Sequence, residues 1–182
     1  MIQDPYNVVR DFERALCDYT GARYAVTVNS CTMALQLSVA WYMRPSHHPL
    51  YWMEPGKTSA TRWDKTVGIP KRTYVGVPMA ICHAGAWPTF RDEDWQGEYQ
   101  LSPLPVWDAA RRFPSGMYHG GFQCVSFHWS KILGLSQGGA ILHDDPEADA
   151  WLRRARFDGR TEGVAPADDT FDMLGWHCYL SP

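Results

Sequence analysis

The sequence predicts an α/β fold in three layers, a mostly parallel sheet flanked by helices, and three observations carry that prediction. Short apolar and β-branched runs alternate with segments whose apolar residues recur at helical spacing, the pattern of a parallel sheet with helical crossovers. The chain has 182 residues, 45% of them hydrophobic, which is enough for one sizeable core and short for two. From Tyr24 to Trp41 it runs from strand through a polar turn into a helix. Such a helix start turns backbone N–H groups and the positive end of the dipole toward an anion.

Taken in order, Val8, Val9, Phe12, Leu16 and Tyr19 make one face of a helix over Pro5–Tyr19, which Thr20-Gly21 ends. Tyr24–Val28 (YAVTV) reads as a buried strand, and Asn29-Ser30-Cys31-Thr32 turns it into an apolar helix, Met33–Trp41. Arg44–Thr66 breaks the rhythm with Pro45, Pro49, Pro55, Gly56, Trp52, Trp63 and the pair His47-His48. It is read as an irregular excursion, and loops that long are usually functional or mobile. Periodicity returns with a strand at Val67-Gly68-Ile69, a turn at Pro70–Thr73, a helix near Val77–Ala84 and a strand at Trp87–Arg91. Leu104–Trp107, Phe122–Phe127 and Ala140–His143 read as further buried strands, and Pro146–Arg156 as a helix.

Bulk properties narrow the function. A formal charge of −3 gives no electrostatic reason for a nucleic-acid partner, and Arg153, Arg154 and Arg156 read as a solvated helix face. Cys17, Cys31, Cys82, Cys124 and Cys178 are scattered, odd in number and without a C-x-x-C pair, which argues against a disulfide framework or a zinc knuckle and favours a reducing compartment. No stretch approaches the ~20 apolar residues of a membrane span, and the start has no leader pattern. The expectation is a soluble, cytoplasmic protein without a metal site.

In such sheets ligands gather at the carboxyl ends of strands. Three of the predicted ends supply Ser30 and Thr32, then Asp108, then Ser126 with Lys131. Lys131 stands within SFHWSKILGLSQGGA, between a strand end and a glycine-rich return, and Asp108 within WDAAR. A lysine amine that forms an imine with a cofactor aldehyde, and a carboxylate that keeps a pyridine nitrogen protonated, are the two requirements of a pyridoxal-phosphate site. Singly, each residue has a plainer role: Ser30 or Thr32 as a helix cap, Asp108 as a turn cap, Lys131 as a surface lysine, Tyr74 as core. Their combination at strand ends of one sheet favours the site. His128 and His143 read as structural histidines and His47-His48 as surface.

Along most of its length the chain resembles the DegT/DnrJ/EryC1/StrS family of pyridoxal-phosphate-dependent sugar aminotransferases. The resemblance rests on FERALCDYTGARYAVTVNSCTMAL, IPKRTYVGVPMAICHAGAWPTFRDED, VWDAAR, CVSFHWSKILGLSQGGAILHDD and LRRARFDGR, in that order and spacing. It implies the large domain of a fold type I aminotransferase over residues 1–182, with the C-terminal small domain of the family absent. It makes Lys131 the Schiff-base lysine and Asp108 the partner of the pyridine nitrogen. Ser30, Cys31, Thr32 and Ser126 fall around the phosphate, and Tyr74 over the cofactor ring. The implied activity moves an amino group from glutamate to the keto group of a nucleotide-linked sugar, in a homodimer with a shared site.

The chain departs from that pattern at several positions. Arg111 stands where glutamine or histidine contacts the cofactor's phenolic oxygen, a fixed cation at that edge. Gln137 replaces a glutamate, Tyr179 an arginine, and His177 an asparagine that reaches the neighbouring subunit's cofactor phosphate. Two further readings therefore stand beside the first: an aminotransferase for a non-sugar keto acceptor or modified nucleoside, and a catalytically silent relative acting as a binding module.

Overall fold

The computed structural model describes residues 5–44 and 65–182. The predicted excursion, apart from its ends, and His47-His48 lie outside the described residues. The first helix, α1 (Asn7–Thr20), buries Val9, Glu13, Leu16 and Thr20 on one face and ends at Gly21, whose φ of +82° suits a residue without a Cβ. β1 (Tyr24–Val28) follows, then α2 (Cys31–Met43), whose residues from Ala34 to Trp41 are all buried because it lies between the sheet and a further helix. β2 (Thr66–Pro70), α3 (Gly76–His83) and β3 (Trp87–Arg91) form the next unit. Then come β4 (Tyr99–Gln100), β5 (Val106–Asp108), β6 (Phe122–Ser126), β7 (Gly139–His143) and α4 (Pro146–Ala155). The sequence did not foretell β4, and β5 starts two residues later than expected, so that Asp108 closes the strand rather than following it.

The sheet order is β1-β7-β6-β5-β4, with β2 and β3 paired as a parallel ribbon. β5 and β6 are parallel, whereas β7 is antiparallel to both β1 and β6, and β4 is antiparallel to β5. Gly68 and Ser102 exchange N–H···O bonds of 2.7 and 3.1 Å in an antiparallel bridge, which joins β2 to the chain leaving β4. It follows that β1, β2, β3, β5 and β6 share one direction, and β4 and β7 oppose it. The expected mostly parallel sheet is met in strand direction, but only two adjacent pairings, β5 with β6 and β2 with β3, are parallel. β7 explains the difference: its chain turns back at Gly139 and returns between two strands already in place.

Alternation along the strands divides the core. Val26, Val28, Cys124 and Ile141 face α2, α3 and α4, while Ala25, Val125, Ala140 and Leu142 face α1 and the irregular chain around Phe113–Tyr118. Both faces are covered, which is why these strands read as continuous apolar runs.

The edge strand β1 is closed by side chains and by the C-terminal segment. Glu13 Oε1 accepts from Thr27 N at 2.9 Å and from Thr27 Oγ1 at 2.8 Å. Arg156 Nη1 donates to Thr27 O at 2.8 Å and to Glu13 Oε1 at 2.5 Å, and Arg153 Nη1 donates to Glu13 Oε2 at 2.8 Å. Asn29 N donates to Cys178 O at 2.7 Å, and Val28 bridges Tyr179. The edge therefore offers little backbone for another strand.

Candidate active site

Because β1, β5 and β6 run the same way, Val28, Asp108 and Ser126 end on one edge of the sheet. β7 begins at that edge, where Gly139 pairs with both Val28 and Ser126. A cleft of about 520 Å³ opens there, lined by Ser30, Cys31, Thr32, Tyr74, Asp108, Ser126 and Lys131, with Leu35, Val77, Ala110, His128, Ser130, Gln137 and Gly138 completing the wall. A second hollow of about 390 Å³ shares Tyr74, Asp108, Ala110 and Lys131 with it and adds Arg72, Thr73, Trp95 and Arg111. The predicted site residues thus come together, Arg111 on the adjoining side, with one exception. His177 lines neither space: it is exposed, 2.8 Å from Asp158 Oδ2 through Nδ1, and packs edge-on against Tyr179.

Ser30 caps α2 by accepting from Met33 N at 3.2 Å, in extended backbone. The first turn of α2 thus borders the cleft through Ser30, Cys31 and Thr32, at the helix end whose dipole favours an anion. This turn packs hard on β7: a Cβ at Gly139 would lie 2.6 Å from Cys31 N and 2.8 Å from Cys31 Cα. Gly76, the first residue of α3, likewise leaves room for the Tyr74 ring, since a Cβ there would meet Tyr74 Cε1 at 2.7 Å and Thr32 Oγ1 at 3.1 Å. Tyr74 is 70% exposed, so its ring borders the cleft rather than filling the core.

Asp108 is 6% exposed, and each of its oxygens is held. Tyr99 OH donates to Oδ2 at 2.7 Å, and Ala110 N donates to Oδ1 at 3.0 Å. Burial lifts this carboxyl above its ordinary value, against the pull of those two bonds and of the Lys131 charge. Lys131 lies in the bend after β6, where its N donates to His128 O at 2.8 Å. Among the described residues its Nζ makes no hydrogen bond or ion pair. Cys31, whose Sγ is 3.6 Å from Cys124 O, has a thiol pushed well above its ordinary range by burial and then by the charge of Asp108. It stays protonated and is no nucleophile at neutral pH.

Sequence reasoning missed Tyr99 and the role of Thr73. Thr73 Oγ1 lies 2.5 Å from Tyr99 OH. The readable signal was the pair of short runs 99–101 and 106–108 about Ser102-Pro103-Leu104-Pro105, a hairpin that sets Tyr99 opposite Asp108. His143 is fully buried at the far end of β7, against the rings of Tyr24 and Phe122 and 3.6 Å from Asp149 Oδ1. His128 does line the cleft, exposed, with Nδ1 2.9 Å from Ser130 Oγ.

Comparison with known proteins gives a family and a fold. The model of the DegT/DnrJ/EryC1/StrS aminotransferase family matches residues 1–111. No curated protein matches the chain. Among solved structures, AtS13 from Actinomadura melliaura superposes with a TM-score of 0.75 at 19% identity, over 98% of this chain and 57% of that one. The sugar aminotransferase CalS13 from Micromonospora echinospora gives 0.72 at 18% identity, over 96% and 57%. DesI, solved in the presence of its TDP-sugar product, gives 0.66 at 20% identity, over 96% and 49%. The chain therefore spans about half the length of these relatives, and the likeness establishes a shared fold.

Proposed function

Because the chain belongs to the DegT/DnrJ/EryC1/StrS aminotransferase family, we propose that it is a pyridoxal-phosphate-dependent aminotransferase carrying an amino group from glutamate to the keto group of a nucleotide-linked sugar. The observation that carries the reading is the meeting of Lys131, Asp108 and the start of α2 in one cleft. These residues suit the cofactor: an anion cradle at one end, a buried carboxylate, and a lysine amine that makes no hydrogen bond or ion pair among the described residues. The bound cofactor supplies an electron-withdrawing ring that stabilises negative charge beside the amino nitrogen.

The chain's residues do the rest. Ser30, Cys31 and Thr32 at the α2 start, with Ser126, would hold the phosphate. Asp108 would hold a proton at the ring nitrogen, and Tyr74 would lie against the ring. Lys131 would bind the cofactor through its amine, and in its neutral form that amine would serve as the base at the substrate carbon. Arg111 sets a fixed cation at the edge beside Asp108 and Lys131. The sugar acceptor is supported by CalS13 being a sugar aminotransferase and by the TDP-sugar product of DesI.

The proposal includes a homodimer. Tyr74, Val75 and Met79 on one lip of the cleft, and Trp129, Ile132 and Leu135 in the loop that carries Lys131, are exposed apolar side chains of the kind that mark an interaction surface. His177, outside the cleft of its own chain, is then free to serve a neighbour. Five cysteines without a disulfide suit the cytoplasm. Among the described residues, no helix is long and apolar enough to cross a membrane.

Visible absorbance of the purified protein with pyridoxal phosphate, before and after glutamate, tests the reading. A band that fades with glutamate and is missing from Lys131→Ala is expected. No band in the native protein would favour the silent binding module, and full amination by Lys131→Ala would sink the assignment.

A further inference from the structure

Tyr99 stands directly opposite Asp108 in the β4–β5 pairing, 5% exposed, and its hydroxyl is the only side-chain group that donates to the carboxylate among the described residues. Burial and the Asp108 charge push the phenol far above its ordinary range, so it stays protonated. A phenol has one proton, and that proton lies toward Oδ2. The 2.5 Å contact with Thr73 is therefore a bond donated by the Thr73 hydroxyl to the Tyr99 oxygen. The result is a directed chain, Thr73 to Tyr99 to Asp108, in which each bond polarises the next.

The chain is mechanically fixed at both ends. Trp95 packs edge-on against the Tyr99 ring at 4.8 Å, and its Nε1 donates to Arg72 O at 2.8 Å. Thr73 directly precedes Tyr74, the ring that borders the cleft. Tyr99 thus ties the turn after β2 to the end of β5, two jaws of the same cleft.

We propose that Tyr99, backed by Thr73, is a positioning residue that fixes which lone pairs of Asp108 face the cleft, and so sets how firmly the carboxylate holds a proton on the cofactor's ring nitrogen. The inference rests on the functional reading above. A bond donated to the charged carboxylate lowers its proton affinity, so the proton stays on the ring and the ring keeps its electron-withdrawing power. The other titratable groups facing Asp108 are Lys131 from the loop after β6, Cys31 at the start of α2 and Cys124 on β6. Both thiols are held protonated by burial, which leaves Tyr99 and Lys131 to balance the carboxylate.

The test compares native protein with Tyr99→Phe, Thr73→Val and Thr73→Ser. In the cofactor-free protein, the Asp108 carboxyl resonance is expected to titrate about one unit higher in Tyr99→Phe, less so in Thr73→Val, and as native in Thr73→Ser. With pyridoxal phosphate bound, Tyr99→Phe is expected to keep the Lys131-dependent band. Its pH midpoint should move upward, and its response to glutamate should slow by roughly ten- to a hundredfold, the size of a hydrogen bond to a charged group. Native titration of Asp108 in Tyr99→Phe, with an unmoved band midpoint, overturns the proposal and leaves Tyr99 as packing. A shifted Asp108 titration with no band in the native protein overturns the functional reading instead, and the link to the ring nitrogen with it. Melting temperatures of all variants separate either result from misfolding.

Discussion

A methyl group placed on Gly139 would press on the backbone nitrogen and Cα of Cys31, atoms that belong to α2 and cannot swing aside. Either β7 or the helix start must move. Gly139→Ala is expected to lose roughly 1–3 kcal/mol of stability, the usual range for overpacking a tight contact, and to weaken pyridoxal-phosphate binding, since the displaced turn carries the residues proposed to hold the phosphate. Urea unfolding and a cofactor titration read the two effects, and native values in both would contradict the packing argument. Lys131, Asp108 and Ser30 were legible in the sequence because strand-end chemistry concentrates unlike residue types in short spans. Tyr99 was not, because one tyrosine in a two-residue strand has no periodicity, and its meaning comes only from facing Asp108 across a hairpin. His177 was expected to face a neighbouring subunit's cofactor, and within its own chain the bridge of Phe157 to His177 keeps it near Asp158, outside the cleft.

At the scale of elements, α1, β1 and α4 are pinned together by Glu13 with Arg153 and Arg156. Burial pushes the Glu13 carboxyl upward, but Arg156, Arg153 and the bonds from Arg153 and Thr27 outweigh it and hold it below its ordinary 4.5. A carboxylate lowered in the folded state stabilises the fold fully above its unfolded value and loses that contribution as pH falls through the folded one. Unfolding free energy should therefore fall on acidification below about 4.5. Glu13→Gln takes one partner from each of two guanidinium groups, leaving Arg153 with Asp149 and Arg156 with Glu162. It is expected to cost about 2 kcal/mol near neutrality and to flatten that acid limb, as read by urea unfolding across pH; an unchanged limb would rule Glu13 out as its source. α1 and α2 were legible partly through a stop or cap that sequence shows, Gly21 after α1 and Ser30 before α2; the structure adds Asp145 before α4, which accepts from Glu147 N and Ala148 N. Strand direction was harder to read. A buried strand such as β7 has the same apolar run whichever way it points, so nothing in GAILH announces that it opposes its neighbours.

For the molecule as a whole, Tyr74, Val75 and Met79, just before and on α3, and Trp129, Ile132 and Leu135, on the loop that bears Lys131, are exposed apolar side chains beside the cleft, while Val8, Tyr19, Trp87, Phe90, Phe171 and Leu174 are exposed elsewhere. If a second copy covers those beside the cleft, sedimentation of the full chain will show a dimer. Met79→Lys combined with Ile132→Lys is expected to shift it to monomer with the fold intact by circular dichroism; a native protein that sediments only as monomer contradicts the shared site. The overall plan was the most legible level, since alternating elements, length and apolar content together leave few ways to cover a sheet on both faces.

Ser126 and Gly139 are cross-strand partners, so the segment between them, with Lys131 inside it, leaves and re-enters the sheet at the same rung. Its feet are fixed by the ladder rather than by its own length. Closing a longer loop on fixed feet adds only about 0.6 kcal/mol per doubling. Between Phe127 and Gly138, whose N–H···O bond of 2.9 Å and buried packing extend those feet, the segment is therefore a cassette: exposed residues can be inserted, deleted or exchanged on either side of the lysine without shifting the register of β6 against β7. A lineage could retune the reach of the amine and the shape of the entrance while inheriting the rest of the scaffold unaltered.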